Sequence, residues 1–258
     1  MNRSLNNFFL ISTQLKTTPF KFPDFRIYLA LFVVCLIVHW PLFFSDLLVN
    51  DDLTIITAIE TNDYIGLKAS FYDLARPSGY LFYRALGYIS PSGTLIFNIY
   101  NFFFILVASL LFFKLTVGPW GLPKKCAFVI SLGVMCFPAY SIQPFAYHTY
   151  ELFKYMMFFA GLLLAHRFWR GCGGYGSLLV ACLCFFIAFL TSSLIPFLYV
   201  FLLSFLLVER NKRLGGSDEP QFDLLKGLGI SLLLSAVAVV CFSFEQVFYI
   251  QHDYFGGA

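Results

Sequence analysis

Charged side chains are scarce. Asp, Glu, Lys and Arg make up 12% of 258 residues, against roughly 25% in a soluble domain. The shortfall excludes an ordinary water-facing surface over most of the chain. There is no run of basic residues, so nucleic acid is not an expected partner. Internal repeats, low-complexity tracts and a separate soluble domain are also lacking. Cysteine is missing from every predicted outer loop: Cys35, Cys126, Cys136, Cys172, Cys182, Cys184 and Cys241 all fall within or beside apolar runs. A disulfide framework is therefore not expected. Cys182 and Cys184, two apart on a helix, point in different directions and read as apolar filler rather than metal ligands. The first 25 residues are polar and mixed, and no small-residue cleavage site follows the first apolar run. That run reads as a retained anchor, not a cleaved signal peptide.

What is present is apolar. Hydrophobic residues account for 59% of the chain, with 34 Phe, and the mean hydropathy is +0.78. Several runs approach the ~20 residues that cross a hydrocarbon core. The expected fold is an all-α, polytopic transmembrane bundle of about seven spans, a single integral membrane domain over residues 1–258. Span one runs from about Ile27 to Phe44, after a cytoplasmic tail of residues 1–26. A long outer loop follows over 45–79, with an amphipathic stretch, Leu53 to Leu67, suited to the interface. Tyr80 to Ile89 is short and broken by Arg84, and reads as a re-entrant or interfacial helix. Spans two to four are expected at about Thr94–Phe113, Cys126–Ile142 and Leu152–Phe168. Ser177 to Val208, interrupted by Thr191-Ser192-Ser193 and Pro196, reads as two short spans with a tight outer turn. A cytoplasmic loop over 209–223 leads to a last span near Leu224–Phe244.

Charge sets the orientation. With a cytoplasmic N-terminus and an outer C-terminus, 13 basic residues lie inside, including Arg26, Lys114, Lys124, Lys125, Arg167 and Arg170. Lys68, Arg76, Arg84 and Lys154, four in all, lie outside, as the positive-inside rule favours. Acidic residues lean the other way. Asp46, Asp51, Asp52, Glu60, Asp63, Asp73, Glu151, Glu245 and Asp253 fall outside, nine against five inside. Acidic residues do not set topology, so a site on the outer face is one reason for the excess.

Asp51-Asp52 leads the candidates. A carboxylate within reach can deprotonate an attacking hydroxyl, while its neighbour holds a divalent cation or caps the next helix. Simple capping of a helix starting near Leu53 is the structural alternative. Arg76, in Ala75-Arg76-Pro77-Ser78-Gly79, offers a planar fork suited to phosphate, or anchors the chain among lipid head groups. His148-Thr149-Tyr150-Glu151 comes third, with Lys154 spaced to pair with Glu151 along a helix. Glu245, His252 and Asp253 form a weaker outer group. His39, beside Trp40-Pro41, reads as a buried, hydrogen-bonded histidine. Gly171 to Gly176 is glycine-rich but lacks the lysine and Ser/Thr of a phosphate loop, and reads as a turn.

One span, then Asn50-Asp51-Asp52, then a helical loop ending in Ala75-Arg76-Pro77, resembles the polytopic glycosyltransferases of the GT-C superfamily. The likeness is greatest to bacterial enzymes that decorate surface glycans such as lipopolysaccharide, the O-antigen glucosyltransferases of the GtrII type. It covers residues 25 to 210. Ala75 stands where a glycine is common in that family. Glu151 fits a second acidic position, and Ser177–Val208 fits a central hairpin without the usual lysine at its turn. The resemblance implies a bacterial inner-membrane enzyme, a polyprenyl-phosphate-linked sugar donor, and a glycan or lipid-linked acceptor at the cell envelope. It implies Asp51 or Asp52 as the base and Arg76, His148 and Glu151 as substrate-binding residues, without a nucleotide-sugar site. Such enzymes usually carry more spans and a further C-terminal region, so the chain is expected to be a fragment or a reduced member. Two other classes fit the composition, a lipid or small-molecule transporter and a non-catalytic membrane subunit or assembly factor.

Overall fold

The computed structural model describes residues 25–40, 43, 50–73, 77–89, 94–135, 146–190, 194–214, 229–230, 232–241 and 243. Every regular element among them is a helix. In chain order they are α1 (Phe25–His39), α2 (Asn50–Glu60), α3 (Tyr64–Asp73), α4 (Pro77–Ile89), α5 (Thr94–Val117), α6 (Lys124–Met135), α7 (Ala146–Trp169), α8 (Tyr175–Ala188) and α9 (Ile195–Leu214). A tenth, α10, spans Leu232–Cys241. The all-α expectation holds.

Two helices of 24 residues, α5 and α7, form the centre. Each is about 36 Å long at 1.5 Å per residue. Aromatic pairs fix their relative direction. Phe104 meets Phe153 with ring centroids 5.4 Å apart, and Phe112 meets Phe159 at 5.1 Å. Contacts advance in the same sense on both helices, so α5 and α7 run parallel. Their N-terminal turns therefore share one end of the molecule. α1 and α6 pack on one side of α5 through Leu31, Cys35, Phe113, Ala127 and Met135. His39 ties this side together: its Nε2–H donates to the Met135 carbonyl at 3.2 Å. The buried, hydrogen-bonded reading of His39 is thus met.

On the other side, α8 turns back against α7. Phe168 meets Tyr175, and Phe158 meets Phe185 and Phe189. Gly171, at φ +73°, ends α7 in the left-handed region that glycine adopts without strain. α9 joins through Phe201 and Phe205, and Trp120 locks it to the end of α5. The indole Nε1–H donates to Ser204 Oγ at 2.9 Å, and its ring stacks on Phe201. Ser177–Val208, expected as two short spans with a tight outer turn, is divided between two helices, and residues 191–193 of the expected turn lie outside the described residues. In α10, Leu234, Ala238 and Cys241 are buried on one face.

The outward faces of these helices are also apolar. Leu179, Val180 and Leu183 on α8, Phe197, Val200 and Leu203 on α9, and Val239 and Val240 on α10 are exposed. A helix apolar all round needs an apolar surrounding on its open side. By length and composition, one helix among the described residues, Ile96–Val117, suffices to cross a membrane. Phe25–His39, Tyr175–Ala188, Ile195–Val208 and Leu232–Cys241 are apolar but shorter. α7 matches α5 in length but carries Glu151, Lys154 and Arg167.

α2, α3 and α4 form a layer over the N-terminal ends of α5 and α7. The layer's core is Ile55, Ile56, Ile59, Leu67, Phe71 and Tyr83, joined by Phe97 of α5 and Tyr150 of α7. One continuous amphipathic stretch over Leu53–Leu67 is not what forms. Asn62 takes a left-handed φ of 58° and stops α2, and Asp63 restarts the chain as an N-cap, its Oδ1 accepting the Gly66 N–H at 3.0 Å. α4 begins at Pro77, inside the expected loop. The opposite end of the molecule is basic, with Lys114 in the last turn of α5, Lys124 and Lys125 opening α6, and Arg167 closing α7.

Helix α7 approaches α8 closely at Gly161. A Cβ there would stand 3.1 Å from the Phe185 ring. Gly161→Leu should therefore push the two helices apart and cost about 1–3 kcal/mol, read as a lower melting midpoint in detergent. An unchanged midpoint would contradict this packing.

Candidate functional site

The expected site residues fall on two elements that pack together. Asp51 and Asp52 occupy the first turn of α2, and His148 and Glu151 the first two turns of α7. α2 lies against α7, and α4, which starts one residue after Arg76, lies against both. The structure thus brings two of the four expected segments, Asp51-Asp52 and His148–Glu151, to one end at the level of the backbone. The side chains of Asp51, Asp52 and His148 lie outside the described residues, as do Arg76, Glu245, His252 and Asp253.

Helical register separates the two aspartate positions. Position 51 stands in line with Thr54, Ile55 and Ala58, and position 52 with Ile55, Ile56 and Ile59, so the two lines share Ile55 and only the first includes the exposed Thr54. The first line borders a cavity of about 390 Å³ between α2 and α3. Its lining includes Thr54, Thr57, Thr61, Asp63 and Ser70. The second line is the buried stripe at the centre of the layer. A hydroxyl-rich recess of this size can hydrogen-bond a polar, uncharged group such as a sugar ring.

Glu151 and Lys154 pair as their spacing predicts, with Nζ donating to Oε1 at 2.6 Å. Their environments differ sharply. Lys154 is fully buried, whereas Glu151 keeps 26% of its side chain exposed. Lys154 does not stand among the outer surface charges, as its place in the sequence suggested. Its ammonium lies 4.6 Å from the centre of the Tyr150 ring, a cation–π contact. Asn98 and Asn101 on α5, and Thr149 on α7, are buried too. The N-terminal turns of both central helices are thus polar inside, which their apolar sequences conceal. The pair can hold a carboxylate at a fixed point beneath the layer.

Arg84 is the feature sequence reading missed. It is exposed on α4 and ringed by tyrosines. Nη1 donates to Tyr80 Oη at 2.9 Å and Nη2 to Tyr88 Oη at 3.4 Å. Tyr64, stacked on Tyr88, closes the third side. The hydrogen bond to Tyr88, and then the charge effect of the two phenols, holds the guanidinium above its ordinary pKa. Leu81, Tyr88 and Ile89 are exposed along the same stripe, so α4 presents an apolar face with one cation in it. Tyr80 and Tyr88, four residues either side of Arg84, were the available signal. Among the described residues, no three His, Cys, Asp or Glu side chains converge as a metal site.

The unequal burial of the ion pair makes an unequal prediction. Glu151→Gln takes a carboxylate away from a fully buried ammonium and should cost about 3–5 kcal/mol. Lys154→Met leaves behind a carboxylate that reaches solvent and should cost less. Thermal unfolding of both variants decides, and equal or reversed losses would refute the assigned burial.

Comparison of the chain with known protein families, with curated proteins and with solved structures finds no match.

Proposed function

We propose that the chain is an integral membrane glycosyltransferase of about seven spans. In this reading it moves a sugar from a polyprenyl-phosphate donor to a glycan or lipid-linked acceptor at the outer face of a bacterial inner membrane. The observation that carries the reading is the packing of α2, which opens with Asp51-Asp52, against the first turns of α7 beside Glu151. Support for the membrane comes from the apolar outward faces of α8, α9 and α10 and from the separation of charge along the bundle. Basic residues gather at one end and the α2–α4 layer covers the other, so the layer takes the outer side.

The chemistry follows from placement. We assign the threonine-lined recess to an acceptor sugar and the role of base to Asp51, one turn before the recess residue Thr54. Its carboxylate takes the proton of the acceptor hydroxyl. That oxygen forms the new bond to the anomeric carbon, and the bond from this carbon to the donor phosphate breaks. The departing polyprenyl phosphate keeps the electron pair. Arg76, just ahead of α4, offers its guanidinium to that phosphate as charge builds. Glu151, held by Lys154, orients a sugar hydroxyl, and His148 stands one turn before it. A transporter reading draws on the buried Lys154, but this lysine lies in the half of α7 that faces the layer and is paired with the partly exposed Glu151. That position favours a surface site over a path through the bilayer.

The test is sugar transfer from labelled polyprenyl-phosphate sugars in membranes containing the chain. Asp51→Asn, expressed at the wild-type level, should lower transfer by about 10²–10⁴-fold, and Asp52→Asn by less. Transfer unchanged in both variants would remove the base from this loop. A wild-type chain that enters membranes but transfers none of the common sugars would favour a non-catalytic subunit.

A further inference from the structure

Arg84 and the phenols around it have no part in the proposed transfer. Residues 81, 84, 85 and 88 recur at helical spacing and form the exposed stripe of α4. Its opposite stripe, Tyr80, Tyr83 and Leu86, is buried in the core of the layer. The exposed stripe is apolar apart from Arg84: Leu81 is 63% exposed and Tyr88 69%, with Ile89 beside them. Tyr80 Oη and Tyr88 Oη each accept a guanidinium N–H. Their own hydrogens therefore point away from Arg84, and both hydroxyls can donate outward. These hydroxyls and the remaining guanidinium N–H groups make one cluster of donors. Among the described residues the partners of Arg84 are neutral phenols, so the cluster carries a net positive charge.

The height of α4 matters as much as its face. Phe82, on its inner side, meets Tyr150 at 5.0 Å and Phe153 at 5.1 Å. Phe153 lies about 10 Å along α7 from Ala146. α4 thus reaches past the end of α7, to the level where a spanning bundle meets lipid head groups. Charge and shape then choose the occupant. A neutral sugar finds no partner in Leu81 or Ile89. A free anion engages the donors but leaves the apolar stripe in water. A lipid with a negative head and apolar tails satisfies both, and tyrosine and arginine suit such a boundary by joining an apolar body to a polar tip. We infer that α4 docks on the outer leaflet, with Arg84, Tyr80 and Tyr88 holding the phosphate of an acidic phospholipid and Leu81 and Ile89 set among its acyl chains. The site rests on the membrane reading but not on the transferase chemistry. Since α2 packs on α4, this contact would fix the height of the recess above the membrane.

The experiment uses the full chain in vesicles of equal phosphatidylglycerol and phosphatidylcholine. A photoreactive benzophenone side chain replaces Leu81, Ile89 or, as a water-facing control, Thr57, and adducts are identified by mass. Positions 81 and 89 should yield phospholipid adducts enriched in phosphatidylglycerol, and position 57 should yield none. Arg84→Gln should lower the ratio of phosphatidylglycerol to phosphatidylcholine adducts about five-fold, whereas Arg84→Lys, which keeps the charge, should largely preserve it. Tyr80→Phe/Tyr88→Phe removes the two hydroxyls and should lower the yield with both lipids about five-fold. If that double variant fails to fold, Tyr88→Phe alone, at an exposed position, should show a loss in the same direction. A ratio unchanged by Arg84→Gln, a yield unchanged by loss of the hydroxyls, or adducts to protein instead of lipid at positions 81 and 89 overturns the inference. Carbonate extraction of native membranes separates the two claims: a chain that extracts defeats the membrane reading, whereas a chain that stays but forms no lipid adduct at these positions defeats the α4 site alone.

Discussion

The parallel packing of α5 on α7 is the constraint on which the rest of the molecule depends. Phe104 on Phe153 and Phe112 on Phe159 hold two long helices side by side with their N-termini at the same end. Consecutive helices joined by short turns run antiparallel, so a parallel pair needs α6 to carry the chain back between them. The pairing offers α1 and α6 one flank and α8 and α9 the other. It also makes a platform of two adjoining first turns, on which α2, α3 and α4 rest through Phe97 and Tyr150. Were α7 reversed, Glu151 would stand at the basic end and α2 would have nothing acidic beneath it.

That platform is where the polar interior lies. Asn98, Asn101, Thr149 and Lys154 are buried there, while the distal halves of the same helices pack through Phe, Leu and Ala. Burying an ammonium is costly without a partner, and Glu151 with the Tyr150 ring supplies compensation. Polar groups held at one end of an apolar bundle concentrate electrostatic effects where the layer excludes solvent. The charges of the opposite end are exposed and well separated from this region.

Local features were legible in the sequence, and features set by distant neighbours were not. The pairing of Glu151 with Lys154 follows from a spacing of three within one helix. The break of Ser177–Val208 into two helices was legible too, from Thr191-Ser192-Ser193 and Pro196 interrupting the apolar run. His39 was read correctly because a histidine in an apolar run needs a partner. The turn at Thr61-Asn62-Asp63 was missed: Asn tolerates a left-handed φ and Asp caps helices, but the amphipathic pattern of Leu53–Leu67 hid the break. The burial of Lys154 was hidden, because it depends on tertiary packing around α7 and not on its place in the helix. The ring about Arg84 draws Tyr64 from another helix. Which helices adjoin, and in what direction, depends on contacts between residues about fifty positions apart, and no periodicity encodes that. Of the candidate site, the meeting of α2 with α7 is visible in the fold, whereas the sequence offered only a shared acidic character.

The central claim is that the α2–α4 layer and the basic end stand on opposite sides of a membrane. The most direct measurement is labelling by a membrane-impermeant maleimide in intact and permeabilised cells, with modified peptides identified by mass. Thr57 is exposed on α2 and native Cys172 is exposed in the turn after α7. The account predicts that a Thr57→Cys chain is labelled at position 57 in intact cells, and at Cys172 only after permeabilisation. Labelling of both in intact cells, or in the reverse order, would contradict it.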